Sequence, residues 1–266
     1  MYTNEEMFNR SFDFYSKDEF KKIQEQNVLV AGVGGMGGVC CELLVRLGFI
    51  NFTIADFDYF EISNTNRQIY CNTTNLNKNK IDVLVENFKS INPNVKIVKL
   101  PEGITDENRS KLVESHTVIV NGIDDIAHSI LLRREVHVQN KFMVDAWLTP
   151  VVNTFVVEPN SKISPEDFMG YPSKDLKHSD EFTEEIRKAC LKKDIEYTRK
   201  HFPSDNILSD DIVDKIINFE FQRHFPSMVW MCGCQMSNEV FKYVTKKGKS
   251  PGIQGVFFDY MNIPSV

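Results

Sequence analysis

No two of the chain's cysteines stand in a CxxC spacing. The six, Cys40, Cys41, Cys71, Cys190, Cys232 and Cys234, include crowded neighbours that make a poor disulfide ladder. Reduced thiols are therefore expected, and no structural zinc. Cys232-Gly233-Cys234 is too tightly spaced for a metal clip and reads as small residues on an apolar helix. Apolar runs are short: none nears the roughly 20 residues that cross a bilayer. The opening residues hold no cationic patch followed by an apolar stretch, so no signal peptide is read there. A cytoplasmic chain without a membrane partner is the expectation. Positive charge is scarce too. With 31 Lys and Arg against 37 Asp and Glu the net charge is −6, which argues against a broad basic footprint for nucleic acid. Local basic stretches at 187–193 and 242–249 fit solvated helix faces equally well.

Against these absences stand 266 residues, 42% hydrophobic and 26% charged, enough to bury one large α/β core. Residues 1–26 read as one or two helices leading into it. Residues 28–31 are a short apolar run closed by glycines and read as a buried strand. A glycine turn follows, then apolar residues at helical spacing over 39–47, with Gly48 where a helix C-cap belongs. Residues 52–55 give a second strand and complete a βαβ unit. The alternation continues with helices at 80–91, 106–114 and 126–139 and strands at 95–98, 117–120 and 142–144. This predicts an α/β fold, a Rossmann-like, doubly wound, mostly parallel sheet covered on both faces. The near-continuous extended run 151–157 predicts an antiparallel or mixed C-terminal part. Residues 158–210, punctuated by Pro159, Pro165, Pro172 and Pro203, read as a long insertion or crossover segment with one helix at 181–200. An apolar helix at 227–244 and a closing strand at 255–258 complete a single domain over 1–266.

Gly32-Val33-Gly34-Gly35-Met36-Gly37 matches GxGxxG between a strand and a helix. Glycine there lets the backbone approach phosphate oxygens, and the helix N-terminus favours their charge. Asp56 ends the second strand 19 residues after Gly37, where a carboxylate holds ribose hydroxyls. The turn points to a nucleotide without saying which. Past Asp56-Phe57-Asp58 comes the polar cluster Ser63-Asn64-Thr65-Asn66-Arg67-Gln68. Arg67 offers a planar fork for phosphate oxygens, and Lys80 a mobile point charge. Asp124, in the turn after 117–120, is placed to hold Mg2+. A surface salt bridge accounts for any one of these singly. Together, beyond the carboxyl ends of strands, they point to ATP, whose triphosphate must be neutralised before a nucleophile approaches.

These residues carry a resemblance. The GVGGMGG turn, Asp56-Phe57-Asp58, Asn64-Thr65-Asn66-Arg67-Gln68, Lys80 and Ile123-Asp124-Asp125 resemble the ThiF/MoeB/HesA adenylating enzymes, relatives of the ubiquitin-activating enzymes. The likeness runs from about residue 8 to about residue 150. It implies that Gly32, Gly34, Gly35 and Gly37 form the nucleotide turn and that Asp56 binds ribose. Asn64, Arg67 and Lys80 would bind the phosphates, and Asp124 magnesium; Asp58 and Gln68 belong to the same cofactor-binding set. Arg10 resembles the arginine that family homodimers lend to the neighbouring site. The spelling of residues 64–69 is closest to TcdA-like members, which cyclise threonylcarbamoyladenosine in tRNA. Ala146-Trp147-Leu148-Thr149-Pro150 stands where many relatives have a small glycine-containing loop, a departure that bears on the substrate.

The implied reaction is attack of a carboxylate on the α-phosphorus of ATP, giving an acyl-adenylate and pyrophosphate. The carboxylate would sit on a small carrier protein's C-terminus, a peptide or a tRNA. Cys190, between Arg187-Lys188 and Lys192-Lys193, is the candidate for a later thioester, since cations lower a thiol's pKa; a buried face of an amphipathic helix is the preferred reading. An NAD-dependent oxidoreductase explains the glycine turn and Asp56 but leaves Arg67, Lys80 and Asp124 without a role. A nucleotide-binding scaffold without catalysis leaves the intact charged set unexplained.

Overall fold

All residues of β4 (Val118–Asn121) and β5 (Phe142–Asp145) are buried, as are four of the five in β1 (Asn27–Ala31) and β2 (Asn51–Ala55). Strands covered on both faces need side chains that are apolar in both directions, hence continuous runs in place of alternation. The computed structural model describes residues 2–147, 152–201, 209–220 and 224–258. With β3 (Lys96–Leu100), β6 (Val152–Val157) and β7 (Val256–Phe258), the strands lie in the order β3-β2-β1-β4-β5-β6-β7. The first five run parallel, and β6 and β7 return antiparallel. This is the expected mixed sheet. Its order reverses between β1 and β4, which opens a crevice at their carboxyl ends.

The helices are α1 (Asn4–Phe8), α2 (Lys17–Gln24), α3 (Gly35–Leu47), α4 (Lys80–Ile91), α5 (Arg109–Ser115), α6 (Ile126–Val138), α7 (Pro165–Met169), α8 (Glu184–His201), α9 (Asp210–Ile217) and α10 (Pro226–Thr245). Val28, Val30, Val118 and Val120 meet Leu44 of α3, Leu84 of α4 and Val240 of α10 on one face of the sheet. Their neighbours Leu29, Ala31 and Ile119 meet Val113 of α5 and Leu132 and Val136 of α6 on the other. Capping boxes start α1 at Thr3 and α2 at Ser16, each worth about 1 kcal/mol.

Two departures from the expected elements have physical causes. The helix expected over 39–47 begins at Gly35 and takes in Gly37 and Gly38. Glycine disfavours a helix interior, but here close packing requires it. The second departure is α9, whose period is regular (Val213 and Ile217 buried) but whose eight residues are too short to stand out. The segment that includes α7 and α8 packs Tyr171, Phe182 and Cys190 onto Ala127, Ile130 and Leu131 of α6. Pro203 and the loop residues Leu148, Thr149 and Pro150 lie outside the described residues.

Candidate functional site

The glycine turn is held by backbone packing. Gly32 has φ +84°, and a Cβ there would lie 2.5 Å from the carbonyl oxygen of Gly122. A Cβ on Gly37 would collide with the Gly32 carbonyl, and one on Gly35 would come within 2.5 Å of Val229 on α10. Gly34 differs: a Cβ there would meet only the Gln68 amide nitrogen, at 3.8 Å. Protein packing explains three of the four glycines, while Gly34 has room for a Cβ in ordinary contact with Gln68. It is also the N-cap of α3, with no side chain to cap the first N–H groups, an arrangement suited to an anion.

Asp56 fastens this turn to β2. Its Oδ2 accepts from the Val33 N–H and its Oδ1 from the Asp58 N–H, both at 2.8 Å. Burial pushes its carboxyl up, against the pull of the Val33 N–H and Lys80. Each oxygen keeps a second lone pair for a hydroxyl. Lys80 is 5% exposed, and its Nζ lies 2.7 Å from Asp58 Oδ2. It is an aimed charge in place of the mobile one the sequence suggested. Arg67 gives Nη1 to the Ser63 carbonyl and to Asn66 Oδ1, each at 3.0 Å. Partial burial lowers its pKa while Asp124 draws on its charge.

One cavity of about 370 Å³ gathers Gly32, Gly34, Gly35, Asp56, Asp58, Arg67, Gln68, Lys80 and Asp124, a volume in the range of small-ligand sites. The Gln68 side-chain oxygen is buried without a partner among the described residues. Asp124 is exposed. Gly37 packs behind the turn, and Asn64 closes the turn that precedes Arg67, its Oδ1 accepting from Glu61 N at 3.2 Å. Arg10 lies in a single 3-10 turn, exposed and outside the lining of this cavity. Among the described residues no group of three or more His, Cys, Asp or Glu gathers as a metal site. Magnesium on nucleotide phosphates needs only one or two carboxylates, and Asp124, with no hydrogen bond to a described residue, suits that smaller demand.

Several residues at and around the cavity escaped the sequence reading. Trp230 of α10 donates its indole N–H to the Arg67 carbonyl at 2.8 Å, bracing the loop from 163 positions away; no local spacing announces such a contact. His128 lines the cavity through Asp125, which caps α6 by accepting the His128 N–H at 2.9 Å. Behind them Asp145 accepts from Arg133 Nε at 2.7 Å and from Asn121 at 2.6 Å, tying the ends of β4 and β5 to α6. A carboxylate three residues before a histidine at a helix start was the available signal.

Cys190 is fully buried, and burial pushes its thiol up to about 11. The neighbouring cations turn elsewhere: Arg187 pairs with Asp125 and Lys188 with Glu184. Cys232 is buried and Cys234 exposed. Gly233 between them lets α10 approach α3, since a Cβ there would lie 2.8 Å from the Met36 carbonyl oxygen. No helix among the described residues is long and apolar enough to cross a membrane.

The chain is similar to several known proteins. The tRNA threonylcarbamoyladenosine dehydratase of Escherichia coli strain K12 is 26% identical over 120 residues, 45% of each chain. The molybdopterin-synthase adenylyltransferase of the same strain is 27% identical over 124 residues, 47% of this chain and 49% of that one. The chain thus spans about half the length of these curated relatives. The crystal structure of E. coli MccB with ATP shares the fold at a TM-score of 0.69 and 17% identity, covering 99% of this chain and 72% of that one. The ThiF family matches residues 8–264, nearly the whole sequence, and the chain belongs to it.

Proposed function

We propose that this chain is an ATP-dependent adenylyltransferase that activates a carboxylate as an acyl-adenylate with release of pyrophosphate. The observation that carries the reading is the convergence of Arg67, Lys80 and the uncommitted carboxylate of Asp124 on the open side of Gly34. A hydride-transferring site, holding a pyrophosphate in place of a triphosphate, needs less of that charge.

In this reading the N–H groups at the start of α3 and the side chains of Arg67 and Lys80 receive the phosphates, and Asp56 takes the ribose hydroxyls. Asn64 acts through the turn it closes, and Asp58 acts by aiming Lys80. Asp124 would hold Mg2+ together with phosphate oxygens, and the ion when bound would supply charge neutralisation to the triphosphate. The attacking oxygen belongs to a carboxylate that is already ionised at neutral pH, so the first step needs no general base. Electrostatic stabilisation dominates, and removal of one such contact typically costs on the order of 3 kcal/mol. The chain is further proposed to act as a homodimer, with Arg10 completing the neighbouring subunit's phosphate site. Its exposure, away from its own cavity, supports that placement.

The test is carboxylate-dependent ATP–pyrophosphate exchange. The substrates to offer are a short peptide with a free C-terminus, a small carrier protein ending in Gly-Gly, and tRNA bearing threonylcarbamoyladenosine. One should support exchange in the native chain and fail with Asp124→Ala and Lys80→Ala. Near-normal exchange in both variants would place the site elsewhere.

A further inference from the structure

The cavity straddles the carboxyl edge of the sheet, and its two ends differ in chemistry. Gly34 and Gly35 at the start of α3, Lys80 at the start of α4, and Arg67 braced by α10 belong to one face. The other face contributes Ile104 after β3, Ile123, Asp124 and Asp125 after β4, and His128 on α6, but neither Lys nor Arg. A nucleoside triphosphate laid across Asp56 puts its phosphates at the cationic end and its base at the end without cations. Among the described lining residues, the ring with hydrogen-bonding capacity at that second end is His128.

That imidazole is fixed. Its Nδ1 lies 2.7 Å from Asp125 Oδ1, and the other oxygen of Asp125 is paired with Arg187 from α8. Burial works against the Asp125 charge, yet His128 and Arg187 hold its carboxyl well below the usual range. An ionised Asp125 accepts a hydrogen bond from Nδ1–H and sets the tautomer. No described residue hydrogen-bonds Nε2, so it is the nitrogen left for a ligand.

Resting on the nucleotide reading above, we propose that His128 reads the base: Nε2 of its neutral ring accepts from the six-amino group of adenine. Hypoxanthine and guanine carry a carbonyl oxygen there and would set lone pair against lone pair. Sites built on such a hydrogen bond discriminate strongly against the analogue that lacks it. Protonation inverts the match, because the imidazolium donates from Nε2. The charged groups acting on the ring are Asp125 at the start of its helix, Asp106 beyond β3 and Arg187 on α8. The Asp125 bond, with Asp106 in support, raises the imidazole's pKa above its ordinary value against the influence of burial and Arg187. The inversion therefore falls above the pH of a free histidine.

The experiment is competition binding of Mg2+–ATP and Mg2+–ITP to the full chain at pH 6 and pH 8.5. These nucleotides differ only in the six-position and the adjoining ring nitrogen. The native chain should prefer ATP by about tenfold or more at pH 8.5, with the ratio falling toward parity at pH 6. His128→Ala and His128→Gln should bring the ratio near parity at both pH values, the glutamine because its amide rotates to donate or accept. A native preference that ignores pH, or one that persists in both variants, overturns the proposal while leaving ATP binding intact. Binding of neither nucleotide overturns the nucleotide reading itself, and this inference with it.

Discussion

The buried ammonium of Lys80 lies 2.7 Å from the half-exposed carboxylate of Asp58. The Lys80 N–H also donates to the Asp58 carbonyl, at 3.0 Å, so the start of α4 and the segment after β2 are doubly tied. A buried lysine held by one carboxylate points in one direction, here along the cavity wall.

Replacing Lys80 should therefore cost binding more than stability. Lys80→Met keeps the aliphatic stem packed and leaves Asp58 in contact with water. ATP affinity should fall by about tenfold to a hundredfold, the worth of one charge-assisted hydrogen bond. Fluorescence titration with ATP beside a thermal melt checks this. Unchanged affinity would remove Lys80 from the phosphate site.

Gly34 and Gly37 should respond in opposite ways to alanine. At Gly34 the methyl meets only the Gln68 amide at 3.8 Å, so Gly34→Ala should fold and lose ATP binding. At Gly37 the methyl runs into the Gly32 carbonyl, and overpacking of that kind costs about 3 kcal/mol or more. Urea denaturation of the two variants, with and without ATP, separates them. Equal loss of stability in both would mean that Gly34 is also a packing glycine.

The strands and the nucleotide turn were legible in the sequence because both are local: apolar runs of four or five residues, and glycines between a strand and a helix. Their convergence with Arg67, Lys80 and Asp124 was legible through topology, since parallel strands bring their carboxyl ends together. The Trp230 brace was not, because it joins residues 163 apart. The start of α3 was misplaced because the propensity of Gly35, Gly37 and Gly38 is overridden by backbone contacts that only the fold supplies. The Cys190 microenvironment was also hidden: sequence shows its cationic neighbours, while the structure shows which side of the helix they occupy.

Thiol labelling follows from that last point. At pH 8 iodoacetamide should modify Cys234, which is exposed, and spare Cys190, which is fully buried with its thiol pushed up to about 11. Mass spectrometry of tryptic peptides reads the result. Rapid labelling of Cys190 in the folded chain would reopen a covalent role for it.

The His128–Asp125 pair gives stability a defined pH dependence. The folded imidazole's pKa is raised, first by its bond to Asp125, so its contribution is fully present below the unfolded value near 6.5 and is lost as pH rises through the folded value. The stability gap between the native chain and His128→Gln should accordingly be widest near pH 6 and shrink toward pH 9. Urea denaturation across that range checks it, and a gap that widens with pH contradicts the assignment.

The central claim is that this cavity takes ATP for adenylyl transfer. Isothermal titration of the intact chain with ATP and Mg2+, and separately with NAD, addresses it most directly. The account predicts saturable ATP binding at one site per chain, lost with Arg67→Ala, and NAD binding weaker by about tenfold or more. Tight NAD binding with no response to ATP would contradict it.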